Sequence, residues 1–131
     1  MSRGLRNCNP GNIRINKTKW KGEVTPSQDK SFKQFSSMPF GYRSMLKLLQ
    51  NYSKLYQCDT IRKMISRWAP NSENDTEEYI KTVCGLTGIH EDTVVDVSDK
   101  DSMCRIASAM SRVENAVPAI MSDIKAGWDL I

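Results

Sequence analysis

The sequence predicts a mainly α-helical (α+β) protein with one domain, residues 1–131, and a small β element near the N-terminus. From residue 38 onward, apolar residues recur at intervals of three and four, which is typical of amphipathic helices. The first 37 residues contain instead many turn-forming residues and two short strand-like segments. A chain of 131 residues is long enough to bury about two-thirds of its surface around one core.

The opening segment is predicted to be non-helical because it is rich in turn formers: Asn7, Asn9, Pro10, Gly11 and Asn12. Ile13 and Ile15 flank Arg14, which predicts a short strand. Residues 18–32 indicate a hairpin or irregular loop, and a second short strand is predicted near Phe32 to Phe35. The asparagines either hold a tight turn or offer donors and acceptors to a ligand.

Three helices are predicted in the middle of the chain. A long helix begins near Pro39, with apolar positions at Tyr42, Met45, Leu46, Leu49, Tyr52 and Tyr56. A second follows Asp59 as N-cap and stops at Pro70, with core positions at Ile61, Met64, Ile65 and Trp68. The third has a capping-box-like pair, Asp75 and Glu78, and a terminating Gly88. Its apolar face is formed by Tyr79, Ile80, Val83 and Leu86.

The stretch from Met103 to Pro118 predicts the helix that carries the candidate functional residue. Ser98 or Asp99 is its expected N-cap, and Asn115 with Pro118 ends it. Its apolar stripe contains Met103, Ile106, Ala107, Met110, Val113 and Val117. Its polar side contains Arg105, Ser108, Ser111 and Arg112. A final short helix is expected after Pro118, with Trp128 and Leu130 packing back onto the core.

Glu114 projects about 40° from the centre of this apolar stripe and lies in the last helical turn. Desolvation raises the pKa of a buried carboxyl group, and the negative end of the helix dipole raises it further. A carboxyl group that keeps its proton near neutral pH is suited to general acid catalysis. In the alternative interpretation the helix frays here and Glu114 turns into solvent.

Charge and cysteine pattern disfavour several classes of site. The net charge of +4 suits an anionic partner such as a bacterial envelope or nucleic acid without deciding between them. None of the four cysteines (Cys8, Cys58, Cys84 and Cys104) forms a CxxC pair, and His90 is the single histidine. We therefore expect no zinc site, no other cofactor and no histidine-dependent hydrolase. No secretory signal or membrane-length apolar run is found, so we expect free thiols and synthesis in the host cytoplasm.

Long phrases of the sequence resemble a family of phage and prophage lysozyme-like or virion-associated lytic proteins. These proteins carry an RNNNPxNIR opening and an RWAPxxENDTxxYI middle, which RGLRNCNPGNIR and RWAPNSENDTEEYI match here. The resemblance covers nearly the whole chain. Two positions depart from the pattern: Cys8 replaces an asparagine, and Ala116 stands where a glycine is expected.

A second resemblance, to glucosaminidases and lytic transglycosylases, concerns the order of segments. In those enzymes a helix ending in the catalytic Glu precedes an NLFGIK-like segment, W-x-G and an aromatic pair. Here NPGNIR, Trp20 to Gly22, and Phe32 to Phe35 resemble the later segments, whereas the matching Glu helix lies near the C-terminus. The resemblance thus implies a circularly permuted lysozyme fold, which is tolerable because domain termini are often close. It predicts that Glu114 lies beside the Asn9 to Asn12 loop.

The resemblance also implies a set of site residues for cleaving the β-1,4 glycan link of peptidoglycan. Glu114 would be the general acid, and Glu23 and Asp29 are the candidates for a second carboxylate. If neither faces Glu114, a lytic transglycosylase reaction is favoured, in which the substrate's own acetamido and 6-hydroxyl groups take part. The expected substrate-binding residues are Asn9, Asn12, Arg14, Trp20 and Tyr79, although Trp20 and Tyr79 fit core positions equally well.

Three other functions remain open at this point. A lysozyme-fold protein of this kind can be an endopeptidase that cuts peptide cross-links, or a virion component that binds the wall without cutting it. A nucleic-acid binder is disfavoured because the basic residues are spread along the chain. We expect a monomer that acts on peptidoglycan glycan strands, with no nucleic-acid partner and no membrane-integral segment. It would reach the wall as an endolysin through a holin pore or as part of a virion.

Overall fold

Six helices and a two-stranded sheet make up the computed structural model, which describes residues 1–72 and 74–131. The helices are α1 (Arg3–Arg6), α2 (Met38–Tyr56), α3 (Ile61–Trp68), α4 (Thr76–Thr87), α5 (Lys100–Asn115) and α6 (Met121–Asp129). The strands are β1 (Glu23–Val24) and β2 (Gln34–Phe35). The prediction of a mainly helical protein with a small N-terminal β element is therefore confirmed.

The sheet is antiparallel and very short. Glu23 lies opposite Phe35, and Val24 lies opposite Gln34. The strand predicted around Arg14 is wrong in extent, because this segment forms only an isolated bridge between Arg14 and Phe32. Two strands of two residues cannot stabilise themselves in water, so this element depends on side chains that tie it to the rest of the fold.

The first residues of the chain form helix α1, and the prediction of a non-helical opening is wrong there. The Ser2 hydroxyl accepts a hydrogen bond from the Leu5 N–H at 3.2 Å and so caps the helix. An isolated helix of four residues is not stable in water. Here α1 packs against α5, and Gly4 approaches it so closely that a Cβ atom would lie 2.5 Å from the Asn115 Oδ1.

Helices α2, α5 and α6 form the centre of the molecule. Helix α2 packs most extensively against α6, and α5 contacts α1, α2, α4 and α6. Gly127 permits the close approach of α6 to α2, because a Cβ there would lie 2.7 Å from the Pro39 carbonyl oxygen. The largest completely buried apolar side chains include Tyr42, Met45, Leu46, Leu49, Ile61, Met64, Ile65, Met103, Ile106 and Met110. These positions confirm the apolar periodicity predicted for α2, α3 and α5.

The helix termini agree with the predicted capping residues except at α3. Asp75 and Asp99 each accept a hydrogen bond from the backbone N–H three residues later, and Gly88 ends α4 with φ of 72°. The N-cap of α3 is Thr60, not Asp59. The Thr60 side chain accepts a hydrogen bond from the backbone N–H of Lys63, three residues later. Asp59 lies one residue before the N-cap position.

Several predicted positions differ in burial, and Val117, predicted on the apolar stripe of α5, lies beyond the end of that helix and is 45% exposed. Tyr56 and Leu86, predicted on apolar helix faces, are 49% and 50% exposed, whereas Trp68, predicted in the core, is partly buried and packs against the core. Ser111, expected on the polar side of α5, is buried and shares a 2.8 Å hydrogen bond with the Tyr42 hydroxyl. Periodicity identifies the inward side of a helix, but it does not show where along the helix the neighbouring element ends.

None of the described helices is both long enough and apolar enough to cross a bilayer. The four cysteines are free thiols, and Cys104 is the buried one.

Candidate active site

An open cleft of about 330 Å³ lies between the N-terminal loop and the α2–α3 region. It is lined by Gly11, Asn12, Ile13, Arg14, Asn16, Phe32, Leu48, Tyr52, Trp68, Ala69, Asn74 and Glu114. Among the described lining residues, Glu114 is the one carboxylate. No group of three potential metal ligands occurs in the described part of the chain.

Asn12 connects the N-terminal loop to the end of α5. Its Nδ2 donates a hydrogen bond to the Glu114 Oε1 at 3.0 Å, although the two residues are 102 positions apart. The loop turns sharply here, because the Asn12 backbone has a positive φ of 50°, a conformation that asparagine tolerates better than most residues. The predicted proximity of Glu114 to the Asn9–Asn12 loop is confirmed by this contact.

Tyr79 contacts the other carboxyl oxygen from α4. Its hydroxyl donates a hydrogen bond to the Glu114 Oε2 at 2.9 Å and also lies 3.5 Å from the Met110 carbonyl oxygen. The Glu114 carboxyl therefore has one donor at each oxygen and is held in a defined orientation. The core position predicted for Tyr79 is confirmed, because its ring is buried among core residues, and its hydroxyl bonds to Glu114 although Tyr79 does not itself line the cleft.

Burial raises the pKa of Glu114, and the hydrogen bonds from Asn12 and Tyr79 act in the opposite direction. Burial, with the Glu114 charge nearby, raises the pKa of Tyr79 well above its ordinary value, so its hydroxyl stays neutral and donates. Helix α5 continues through Asn115, and the alternative in which the helix frays before Glu114 is wrong. The carboxyl group thus combines an elevated proton affinity with access to an open cleft.

Asn115 fixes the end of α5 to the N-terminal segment, a role that sequence reasoning missed. Its side-chain amide is buried and donates to the carbonyl oxygens of Pro10 at 2.9 Å and Ser111 at 3.0 Å. Its Oδ1 accepts a 2.7 Å hydrogen bond from the Ser2 hydroxyl. The signal in the sequence is weak, because an asparagine at a helix end is also a common helix stop.

The position after Asn115 has the backbone conformation that favours glycine. Ala116 caps α5 in the left-handed conformation with φ of 61°. Glycine adopts this conformation without strain, which accounts for the glycine expected there.

The other predicted substrate-binding residues divide into two groups. Arg14 lines the cleft, with its guanidinium 5.1 Å from the centre of the Phe32 ring. Asn9 is completely buried and bonds to the backbone of Ile13 and Lys33, so it holds the turn and does not reach the cleft. Trp20 is not among the residues that line the cleft.

Glu23 and Asp29, the candidates for a second carboxylate, lie in ion pairs outside the cleft. Both Glu23 oxygens accept hydrogen bonds at 3.0 Å from Nζ of Lys33, which is completely buried. The Asp29 carboxylate forms two bonds with the Arg3 guanidinium, at 2.6 and 2.7 Å, and this contact holds the pKa of Asp29 far below its usual range. Neither residue lines the cleft or bonds to Glu114, so the structure does not bring either candidate together with the acid.

Two aromatic residues at the apolar positions predicted for α2 and α3 form part of the cleft wall. Tyr52 and Trp68 contact each other edge to face, with ring centroids 6.1 Å apart at 65°. Gly11 packs onto this wall, since a Cβ at Gly11 would lie 2.6 Å from the Trp68 ring. The spacing of apolar residues did not predict the cleft, because the core and the cleft wall lie on the same side of α2 and α3.

Comparison with known proteins finds a similar protein from a phage. No protein-family profile matches it. It is 35% identical over 132 residues to Protein P5 of Pseudoalteromonas phage PM2, in an alignment that covers 98% of this chain and 81% of that protein. The chain therefore belongs to the same family as Protein P5 of this phage.

Proposed function

We propose that this protein cleaves the β-1,4 link between the amino sugars of peptidoglycan, with Glu114 as general acid. One observation carries the proposal. The Glu114 carboxyl lies in an open cleft, burial raises its pKa, and donors at 3.0 and 2.9 Å orient its two oxygens. Proton donation to a leaving oxygen requires an acid that is still protonated near neutral pH and aimed at the substrate.

In the proposed reaction Glu114 protonates the glycosidic oxygen as an oxocarbenium-like state develops on the sugar. The hydrogen bonds from Asn12 and Tyr79 then stabilise the carboxylate that remains. Because Glu23 and Asp29 are held in ion pairs elsewhere, we favour the lytic transglycosylase route. In this route the sugar's acetamido group assists, Glu114 takes the proton of the 6-hydroxyl group, and an anhydro sugar end forms.

The same geometry supports a circularly permuted lysozyme-like fold. That fold requires the helix that carries Glu114 to lie beside the NPGNIR loop, although the helix follows the loop in the sequence. The hydrogen bonds from Ser2 to Asn115 and from Asn115 to Pro10 hold the two segments together, which supports the proposal. Similarity to a phage protein fits a phage or prophage lytic role, as a free endolysin or as a virion component.

Digestion of purified peptidoglycan sacculi, followed by mass spectrometry of the products, tests the proposal. We expect new anhydro sugar ends from the wild type and a loss of about 10²- to 10⁴-fold in rate for Glu114→Gln. Glu78→Gln, which changes an exposed carboxylate of α4, is the matched control and is expected to retain activity.

Other products discriminate between the alternatives. New reducing ends would identify a hydrolase instead of a transglycosylase. New free amines without new sugar ends would replace glycan cleavage by endopeptidase activity. Unchanged cleavage by Glu114→Gln would refute Glu114 as the acid.

A further inference from the structure

A row of side chains on α2 leads out of the cleft. Leu48, Tyr52 and Tyr56 follow one another at four-residue spacing, so they lie along one side of the helix about 6 Å apart. Leu48 and Tyr52 line the cleft, whereas Tyr56 lies one turn beyond it and is 49% exposed. The helix surface thus continues the aromatic wall of the cleft into solvent.

Arg67 of α3 lies against this row. Its guanidinium carbon is 3.6 Å from the centre of the Tyr56 ring and 5.3 Å from that of Tyr52. Stacking occupies the face of the guanidinium and leaves the N–H groups along its edge available to acceptors. In the described part of the chain no carboxylate pairs with Arg67, whereas Arg62 of the same helix pairs with Glu77 and Glu91.

We propose that Tyr52, Tyr56 and Arg67, here called the aromatic track, bind the part of a glycan strand that extends beyond the cleft. The inference rests on the proposed function, because it assigns the track to the same polymer. The tyrosine rings would pack against the apolar faces of sugar rings. Arg67 would bind a carboxylate of a stem peptide on the strand through two parallel hydrogen bonds.

Continuity with the cleft and complementary charge identify this occupant. A polymer bound at Glu114 must leave the cleft, and the Tyr52 ring belongs to both the cleft wall and the track. Aromatic rings with an arginine also suit single-stranded nucleic acid. The glycan is favoured because the track leads into the cleft that holds Glu114, the acid to which the proposed function assigns glycan cleavage.

Binding measurements with the Glu114→Gln protein test the track without cleavage of the ligand. Two insoluble ligands are compared by co-sedimentation: purified sacculi, and chitin, which has β-1,4-linked N-acetylglucosamine but no carboxylates. Arg67→Ala should weaken binding to sacculi about tenfold, as expected for a lost charge-assisted hydrogen bond, and leave chitin binding unchanged. Tyr56→Ala should weaken binding to both ligands.

Two controls separate charge from geometry. Lys81→Ala removes an exposed positive charge from α4 and should bind both ligands as the parent protein does. Arg67→Lys keeps the charge but not the planar donor edge, so it should recover only part of the sacculus binding. Melting curves verify that each variant is folded.

The outcomes distinguish failure of the track from failure of the proposed function. Equal sacculus binding by Arg67→Ala and Lys81→Ala would refute the track, even if Glu114→Gln has lost cleavage. Undiminished cleavage by Glu114→Gln would refute the proposed function. A tenfold weaker binding of sacculi by Arg67→Ala would still support the track in that case. Tight binding of single-stranded DNA that is lost in Arg67→Ala, without binding to sacculi, would overturn the assignment of the occupant.

Discussion

Replacing Tyr79 by phenylalanine removes one of the two hydrogen bonds that orient the candidate acid. The ring keeps its place in the core, and the Glu114 Oε2 loses a donor that lies 2.9 Å away. This hydrogen bond lowers the pKa of Glu114 and opposes the effect of burial. Its removal leaves desolvation in place, so the pKa of Glu114 must rise.

The size of the effect follows from the character of the bond. A hydrogen bond to an ionised group contributes about 1.5–3 kcal/mol. A free-energy difference of about 1.4 kcal/mol between protonation states moves a titration by one pH unit. A general acid acts while it is protonated, so the alkaline limb of kcat/KM should move upward by about one pH unit or more in Tyr79→Phe.

The assay is the rate of sacculus clearing measured across pH for the wild type, Tyr79→Phe and Tyr42→Phe. Tyr42 is the matched control, because its buried hydroxyl bonds to Ser111 Oγ at 2.8 Å and does not contact Glu114. Tyr42→Phe should lose about 0.5–1.5 kcal/mol of stability and keep the wild-type pH profile. Coincident alkaline limbs for all three proteins would refute the role given to the Tyr79 hydroxyl.

Two further predictions concern packing around the site. Asn115→Ala leaves the Pro10 carbonyl oxygen without its hydrogen bond in the interior. We expect the free energy of unfolding, measured by urea denaturation, to fall by about 1–3 kcal/mol and sacculus clearing to become slower. Unchanged values in both assays would contradict the role of Asn115 in joining α5 to the N-terminal loop. Gly41→Ala places a Cβ 2.1 Å from a backbone oxygen of that loop and should cost about 1–3 kcal/mol by the same measurement. Its control is Gly85→Ala, which meets no atom within 4 Å and should instead stabilise α4 by about 0.5–1 kcal/mol. Equal effects of the two glycine substitutions would contradict the close approach at Gly41.

Much of the fold follows from local signals in the sequence. Helices α2 to α6 were predictable because their apolar spacing and several of their caps, such as Asp75 and Asp99, act within a few residues. Helix α1 was not predictable, because a four-residue helix among turn formers exists through its contact with α5. That contact joins segments from opposite ends of the chain, and no local pattern reports it.

The candidate site shows the same division. The position of Glu114 within an apolar stripe was visible in the sequence, and its approach to the Asn12 loop followed from the order of segments in a resembling family. The pairing of Glu23 with Lys33 was not visible, because lone carboxylates in a loop carry no sign of their partners. The place of Tyr52 and Trp68 in the cleft wall was not visible either, because apolar spacing is the same for an open cleft wall and a closed core.

The elevated proton affinity of Glu114 implies that the acid lowers the stability of the fold at neutral pH. A carboxyl group whose pKa is higher in the folded than in the unfolded chain makes the folded chain bind protons more tightly. The free energy of unfolding then falls as pH rises from the ordinary carboxyl range through the raised pKa, by about 1.4 kcal/mol for each unit between the two values.

Glu114→Gln removes this penalty, because the amide does not ionise. Asn12 can adapt to the new amide, since its Oδ1 has no hydrogen-bond partner in the described structure and a rotated side chain would accept from the glutamine. The variant should therefore be more stable than the wild type in neutral and alkaline urea denaturation, and the difference should vanish in acid below the ordinary carboxyl range. A variant that is less stable at neutral pH would show that the Glu114 charge is well solvated, and with that the reason for assigning it the role of an acid would be lost.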